Sequence, residues 1–184
     1  GVVYSLTRAG LRALREAFVY RRYRADPLPL NTTTLYHDLL LVDLLSVLRQ
    51  RFPSVQIDNG KLLTTTMQSE RRLPDATMRY DIRGEAGCIA VELELTQKSE
   101  RRYRQLISRY GASREYERVL YVTKTSELAD KIRFTITGRH AREDGPVIDT
   151  GKFHFVQLDE ILGNPTTCRI SNGRIDLSAH LKED

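Results

Sequence analysis

Glu92 and Glu94 alternate with apolar residues in the segment 89–95, which reads IAVELEL. This composition predicts a buried strand. Because the side chains of a strand alternate between its two faces, both carboxylates would point to the same side, with Thr96 in line behind them. Two like charges on one face of an apolar strand repel each other, and their burial is costly unless a cation compensates them. A divalent metal with oxygen ligands is the simplest compensation.

Asp75 directly follows Pro74 and precedes the segment 76–83, in which apolar and polar residues alternate as in a half-buried strand. The glycine-containing segment 84–87 predicts a turn that folds this strand back onto the Glu92 strand as a hairpin. Asp75 could then complete a site with the two glutamates. We therefore predict a metal site formed by Asp75, Glu92 and Glu94 that binds Mg²⁺ or Mn²⁺. The alternative is an exposed acidic strand edge, which the apolar neighbours of both glutamates disfavour.

Such a ligand set is typical of a metal-dependent phosphodiesterase. Lys98 lies four residues after Glu94 and could stabilise charge on the pentavalent phosphate, or it could be a solvated lysine at the end of a strand. His37 and Asp38 begin a predicted long helix. His37 could reach the scissile phosphate, or Asp38 a metal-bound water, or both could be ordinary polar helix positions. Only one of the two can face the site, since adjacent helical residues point about 100° apart.

The elements that must position these residues follow from periodicity and from turn signals. The first is a helix over 35–52, capped by Thr32, Thr33 or Thr34, whose predicted core stripe is Leu35, Leu39, Val42, Leu45 and Leu48. Strands are predicted at 55–57 and 62–64, around the turn Asp58-Asn59-Gly60. They are followed by a helix that is capped by Ser99 and runs from 100 to 110 or to 116, a strand at 118–123, a helix at 127–134 and a strand at 154–158. Residues 158–162 close this unit, and a hairpin is predicted at 168–177. This order predicts an α/β fold, with a central mixed β-sheet flanked by helices.

The first 28 residues are predicted to form a separate region. Residues 2–11 predict a short strand that leads into a helix at Thr7, and the pattern LTxxGL resembles the end of a winged-helix domain. The prolines of the segment 26–29 predict a linker. The predicted organisation is therefore a winged-helix-like remnant with its linker over 1–28, the main α/β domain over 29–164, and a C-terminal hairpin and tail over 165–184.

Composition limits the class of partner and the compartment. The chain has 184 residues, a net charge of +5 and a pI near 9.3, which suits a polyanionic partner. It contains no apolar run of membrane-spanning length, so we expect no membrane association. Two cysteines, Cys88 and Cys168, make no zinc site on their own and favour a reducing compartment over a disulfide. We therefore expect a cytoplasmic protein.

Arginines are concentrated on two predicted helices. Arg101, Arg102 and Arg104 surround Tyr103 directly after the acidic strand, a composition that suits phosphate contact and base stacking. Arg21 and Arg22 end the first helix and suggest contact with the DNA backbone. The alternatives are solvated helix faces for the arginines and a core position for Tyr103, which lies on the same helix face as Tyr110.

These residues and this order of elements resemble the PD-(D/E)xK nuclease superfamily, whose fold is that of the restriction endonucleases. Pro74-Asp75 matches the first part of the motif and Glu92 the acidic position of the second part. Glu94 stands where the superfamily usually has lysine, and Lys98 could supply the missing positive charge. The resemblance implies that Asp75 and Glu92, together with the carbonyl of Leu93, bind the metal, and it extends over residues 35–162.

Within that superfamily the chain looks similar to MOBC-type relaxases and related plasmid replication-relaxation proteins. The segments LYHDL (35–39), PDA (74–76) and VELELT (91–96) carry this likeness. It implies an enzyme that nicks one DNA strand at a plasmid transfer origin to start conjugative mobilisation. The implied partners are that DNA, double-stranded or single-stranded, relaxosome accessory proteins and a coupling protein. Two alternatives stay open. One is a non-catalytic DNA-binding accessory or plasmid replication regulator on the same fold, and the other is a restriction-type or structure-specific endonuclease.

Overall fold

The computed structural model describes residues 32–60, 73–82, 84–140, 149–164, 167–170 and 181. Its helices are α1 (Thr32–Arg51), α2 (Glu100–Ala112), α3 (Ser126–His140) and α4 (Leu158–Gly163), and a short 3₁₀ turn spans Thr150–Lys152. Its strands are β1 (Gln56–Asn59), β2 (Ala76–Ile82), β3 (Glu85–Glu94), β4 (Arg118–Thr123) and β5 (Phe153–Gln157). The predicted winged-helix remnant, its linker and the strand at 62–64 lie outside the described residues.

The five strands form one mixed sheet in the order β1-β2-β3-β4-β5. Strands β1, β2 and β3 are antiparallel neighbours, whereas β4 runs parallel to β3 and β5 runs parallel to β4. A parallel neighbour requires a crossover connection, and α2 and α3 supply the two crossovers. The prediction of an α/β fold with a mixed sheet and flanking helices is confirmed.

Helices cover both faces of the sheet. On one face, α1 and α4 pack on apolar residues that include Val91, Leu93 and Val122. On the other face, α2 and α3 pack on Ala90, Tyr121 and other residues of β3, β4 and β5. Strand β3 lies in the middle of the sheet and is buried on both sides over its second half. Glu92 and Glu94 therefore lie at the buried end of the central strand.

The face that α1 turns to the sheet agrees with the predicted one only in part. Leu39 and Val42 are more than half exposed, and Leu35 is half-buried. Leu45 and Leu48 are buried as predicted, and the other buried residues of the stripe are Leu41, Leu44 and, one residue past the end of α1, Phe52. The run of three leucines at 39–41 places apolar residues around most of the helix, so that spacing alone could not select the face that packs on the core.

Two boundaries in the sheet also differ from prediction. The turn expected at Asp58-Asn59-Gly60 is wrong for its first two residues, because Asp58 and Asn59 belong to β1 and pair with Thr77 and Ala76 of β2. Strand β3 ends at Glu94, so Thr96 is an exposed residue after the strand and does not continue the line of carboxylates. Residues 168–170 contain no strand, and the rest of the predicted hairpin lies outside the described residues.

Other predicted elements are observed within a few residues of their expected ends. Strand β4 has the predicted bounds, and Ser99 caps α2 by accepting a hydrogen bond from the backbone N–H of Arg102. Helix α3 is longer than predicted and continues to His140. Cys88 and Cys168 are free thiols. None of the helices described is long and apolar enough to cross a membrane.

Candidate functional site: a buried carboxylate cluster at the end of β3

Glu92 and Glu94 lie on the sheet face that α2 covers. Their side chains point to the same side as those of Tyr121 and Thr123, which stand beside them in the parallel register of β4. Glu92 is 6% exposed and Glu94 is 1% exposed. The alternative of an exposed acidic strand edge is therefore excluded, and each carboxylate must be compensated inside the protein.

The side-chain carboxylate of Asp75 binds the main chain of β3 at the same end of the strand. Strand β2 begins at Ala76, opposite Val91, so the N–H and C=O of Leu93 extend past the start of β2 without a strand partner. The Leu93 N–H donates to Oδ2 of Asp75 at 2.9 Å. Because a buried main-chain N–H requires an acceptor, this bond fixes the Asp75 carboxylate beside the segment that carries both glutamates.

Gly60 supports the position of Asp75 from the other side. Its N–H donates to the carbonyl oxygen of Asp75 at 2.8 Å. A Cβ atom at this position would lie 1.8 Å from the carbonyl oxygen of Pro74, so a side chain would push the two segments apart. The sequence showed Gly60 only as a turn signal, and its role in holding the Pro74-Asp75 segment depends on a long-range contact.

His37 contacts the cluster at Leu93 and Asp75. Its Nε2 lies 3.1 Å from the carbonyl oxygen of Leu93 and 3.4 Å from Oδ2 of Asp75. The hydrogen bond with Asp75 raises the pKa of His37, whereas partial burial of the ring opposes this rise. Oδ1 of Asp38 lies 3.5 Å from Nδ1 of His37, so Asp38 contacts the ring on its far side.

Lys98 compensates Glu94. Its Nζ donates a hydrogen bond to Oε1 of Glu94, and its backbone N–H donates to the hydroxyl of Tyr103 at 3.1 Å. Burial raises the pKa of Glu94, and the charge of Lys98 opposes that rise. The Lys98 amine thus meets Glu94 although β3 has already ended at Glu94.

Tyr110 and Arg109 compensate Glu92. The hydroxyl of Tyr110 donates to Oε1 of Glu92, and Nη2 of Arg109 lies 4.0 Å from the same oxygen. The pKa of Glu92 is raised to about 7, chiefly by burial and also by the nearby charge of Asp75, while the hydrogen bond from Tyr110 opposes this rise. The repulsion between Asp75 and Glu92 shows that the two carboxylates belong to one electrostatic cluster.

Tyr110 and Arg109 were not predicted as site residues. The spacing of Tyr103, Leu106, Ile107 and Tyr110 marks the buried face of α2, and from it the burial of Tyr110 can be predicted. The contact of its hydroxyl with Glu92 depends on how α2 packs on the sheet, which periodicity does not specify. Arg109 stacks over the ring of Tyr110 at 5.1 Å, so its place near Glu92 follows from that of Tyr110.

Two hydroxyl groups beside the glutamates have no hydrogen-bond partner among the described residues. The hydroxyl of Tyr121 and Oγ1 of Thr123 are both buried and unpaired. They stand next to Glu92 and Glu94 respectively in the register of β3 and β4. Buried polar groups are usually satisfied, so these two hydroxyls mark this face as one that could accept a polar ligand or water.

The predicted set of three carboxylate ligands is not assembled as one metal-binding group. In the described part of the chain, no three histidine, cysteine, aspartate or glutamate side chains are arranged to hold a metal ion. Glu94 is instead paired with Lys98. The remaining donors are the carboxylates of Asp75 and Glu92 and the carbonyl oxygen of Leu93, all hard oxygen ligands of the kind that Mg²⁺ and Mn²⁺ accept.

The arginine-rich helix α2 lies directly beside this cluster. Its solvent face lines a shallow groove of about 690 Å³. The described residues that line this groove are Glu100, Arg101, Arg104, Gln105, Ser108 and Arg109. Arg104 pairs with Glu100, so part of the positive charge is neutralised locally. Arg109 belongs both to this groove and to the surroundings of Glu92.

The other residues predicted to contact DNA have different surroundings. Arg102 is half-buried, whereas Arg101 is exposed. Tyr103 is 2% exposed and packs in the core between α2 and the sheet, so its ring is not available to stack on a base in this structure. The core-anchor alternative therefore describes its position. Arg21 and Arg22 lie outside the described residues.

Comparison of the chain with models of known protein families, with curated proteins and with solved structures finds no match. The fold and the site define an α/β protein with a mixed five-stranded sheet and a buried cluster of carboxylates at the end of its central strand. Any more specific assignment depends on the chemistry of that cluster.

Proposed function

We propose that the protein is a metal-dependent DNA phosphodiesterase whose reaction centre contains Asp75, Glu92, Glu94 and Lys98. The observation that carries this proposal is the burial of Glu92 and Glu94 on one sheet face beside Asp75. Keeping two buried carboxylates beside a third, half-buried one costs stability. Ionisable groups with strongly raised pKa values are concentrated at functional sites for that reason.

The donor set suits a divalent ion. Asp75, Glu92 and the carbonyl oxygen of Leu93 would hold Mg²⁺ or Mn²⁺, which when bound would supply Lewis-acid stabilisation of the phosphodiester. Lys98, oriented by its bond to Glu94, would place positive charge near the phosphate oxygens. Glu94 acts in this scheme as the partner that holds the Lys98 amine within the cluster.

The substrate class follows from the surface next to the cluster. Arg101, Arg104 and Arg109 line one face of α2, and the whole chain carries a net charge of +5. Guanidinium groups bind phosphate oxygens well and read no sequence unless they reach base edges. We infer that the nucleic-acid backbone runs along the groove on α2 and approaches the carboxylates near Arg109.

The more specific proposal is a DNA-nicking enzyme of plasmid mobilisation, acting at a transfer origin with relaxosome accessory proteins and a coupling protein. Its support is the pattern Pro74-Asp75 followed by Glu92 on the next strand, within an order of elements similar to that of the PD-(D/E)xK superfamily. Tyr103 and Tyr110 are both buried, and Tyr110 already donates to Glu92. Their burial favours hydrolysis by water over attack by either of these tyrosines.

Thermal melts with and without Mn²⁺ test the metal site. An ion that binds only the native state raises the melting temperature by mass action. We expect this rise in the wild type and its loss in an Asp75→Ala/Glu92→Ala variant. Asp81→Ala/Glu85→Ala is the matched control, because it removes two exposed carboxylates from the same hairpin. An equal rise in the wild type and in the Asp75→Ala/Glu92→Ala variant would exclude the proposed site.

One observation favours a second candidate, a non-catalytic DNA-binding accessory or replication regulator. Each carboxylate of the cluster already has a partner within the chain: Asp75 has His37, Glu92 has Tyr110 and Glu94 has Lys98. A cluster compensated in this way can persist without a metal ion. This candidate predicts DNA binding with a normal salt dependence, together with no response of the melting temperature to Mn²⁺.

A further inference from the structure

The imidazole of His37 lies between two of the three proposed metal ligands. Its Nε2 is 3.1 Å from the carbonyl oxygen of Leu93 and 3.4 Å from Oδ2 of Asp75. An N–H group at this position donates toward the Leu93 lone pairs that a metal ion would need. The contact is long-range, because His37 lies in α1 and Leu93 in β3, 56 residues apart in sequence.

The sheet explains why a donor is required there. Strand β2 starts at Ala76, so the main chain of Leu93 has no ladder partner on that side. Asp75 accepts the Leu93 N–H, which leaves the Leu93 C=O to be satisfied by a second side chain. A buried carbonyl without a donor is costly, and His37 supplies the donor.

We propose that His37 takes the place of the divalent ion until an ion binds. Its Nε2 contacts the ligand oxygens of Asp75 and Leu93, and it leaves them when the ion arrives. This inference rests on the proposed function, because it assumes that the ion binds at Asp75, Glu92 and Leu93. Ligand oxygens lie about 2.0–2.1 Å from Mg²⁺. A lone pair directed at the ion at this distance cannot also accept the His37 N–H.

The consequence is a site that is closed in the absence of metal. In this proposal the ion takes the lone pairs toward which His37 donates. Its binding then breaks the hydrogen bond between His37 and Leu93 and the contact between His37 and Asp75, which lowers the apparent affinity for the ion. Once displaced, His37 would remain at the edge of the site, where its ring could reach a phosphate. The same residue would thereby keep the metal-free cluster compensated and be released toward the substrate when the ion arrives.

Calorimetric titration of Mn²⁺ at constant pH tests this competition. We compare the wild type with His37→Ala and, as a control, with Tyr36→Ala, which truncates the adjacent exposed residue of α1. A hydrogen bond that involves a charged group is worth enough to expect Mn²⁺ affinity about tenfold higher in His37→Ala. The Tyr36→Ala variant should bind as the wild type does.

The result for His37→Ala separates this inference from the proposed function. Unchanged or weaker Mn²⁺ binding in His37→Ala, with binding still lost in Asp75→Ala/Glu92→Ala, overturns the competition and leaves the metal site intact. Weaker binding would make His37 a ligand. Equal Mn²⁺ binding by the wild type and Asp75→Ala/Glu92→Ala, or no binding by either, overturns both.

A second measurement uses the wild-type protein and does not depend on the folding of any variant. Diamagnetic Mg²⁺ is titrated while the Nε2–H signal of His37 is followed by NMR. We expect this hydrogen-bonded signal to disappear as the site saturates. Its persistence at saturating Mg²⁺ would show that the ion and His37 occupy the site together, which contradicts the proposal.

Discussion

Glu92→Gln should stabilise the metal-free protein, and the gain should depend on pH. The substitution removes the buried charge while keeping a side chain of nearly the same size that can still accept the hydrogen bond from Tyr110. Burial and the charge of Asp75 raise the pKa of Glu92 from 4.5 to about 7 in the folded protein. In the unfolded chain the same carboxyl group ionises near its ordinary value.

The sign follows from this rise. A carboxyl group whose pKa is higher in the folded state contributes stability below its unfolded pKa, and this contribution is lost as the pH rises through the folded pKa. For Glu92 the loss falls between pH 4.5 and about 7. Each pKa unit corresponds to about 1.4 kcal/mol, so Glu92 should cost the wild type about 3 kcal/mol above this window.

Urea denaturation in EDTA at pH 5 and at pH 8 measures the effect. We expect Glu92→Gln to be more stable than the wild type by about 2–3 kcal/mol at pH 8, and to have lost most of that advantage at pH 5. Glu85→Gln is the matched control, because Glu85 is exposed at the other end of the same strand. An advantage of the same size at both pH values would show that burial of an ionised Glu92 is not the cause, and would refute the reasoning.

Three further predictions concern the surroundings of the cluster. Tyr110→Phe removes the donor that lowers the pKa of Glu92, and should destabilise the metal-free protein by about 1–2 kcal/mol at pH 8 and by less at pH 5 in the same urea assay. Lys152 donates to the carbonyl oxygens of Tyr110 and Ser113 at 2.7 Å and 2.8 Å, so Lys152→Met should destabilise the end of α2 by about 1–3 kcal/mol and speed amide exchange there. Arg101→Gln/Arg104→Gln should reduce the slope of log K for DNA against log salt by about 2, whereas Arg79→Gln/Arg133→Gln, which changes exposed arginines elsewhere, should leave the slope unchanged.

The sheet and most element bounds could be predicted from sequence because each signal was local. Alternation marked β2, β-branched residues marked β4, and Ser99 marked the start of α2. The partner of β1 could not be predicted, since the segment Asp58-Asn59-Gly60 favours a local turn whereas the native pairing joins β1 to β2. Long-range pairing overrode the local preference.

The site could be predicted in part for the same reason. The alternation of Glu92 and Glu94 with apolar residues was enough to predict two buried carboxylates on one face. The compensation of their charge was not predictable, because it depends on contacts with α1 and α2. Spacing does not specify that His37 meets Leu93 or that Tyr110 meets Glu92. The helix face of α1 remained ambiguous because leucines occupy several of its sides.

The most direct test of the proposed function is the nicking of supercoiled plasmid in Mn²⁺ by the wild type and by Glu92→Gln, with DNA binding measured in parallel. The plasmid should carry a transfer origin, and Glu85→Gln serves as the control for loss of an exposed carboxylate from the same strand. We predict that Glu92→Gln binds DNA as the wild type does but nicks it at least about a hundredfold more slowly. Nicking at the wild-type rate by folded Glu92→Gln protein would contradict the assignment of this cluster as the reaction centre.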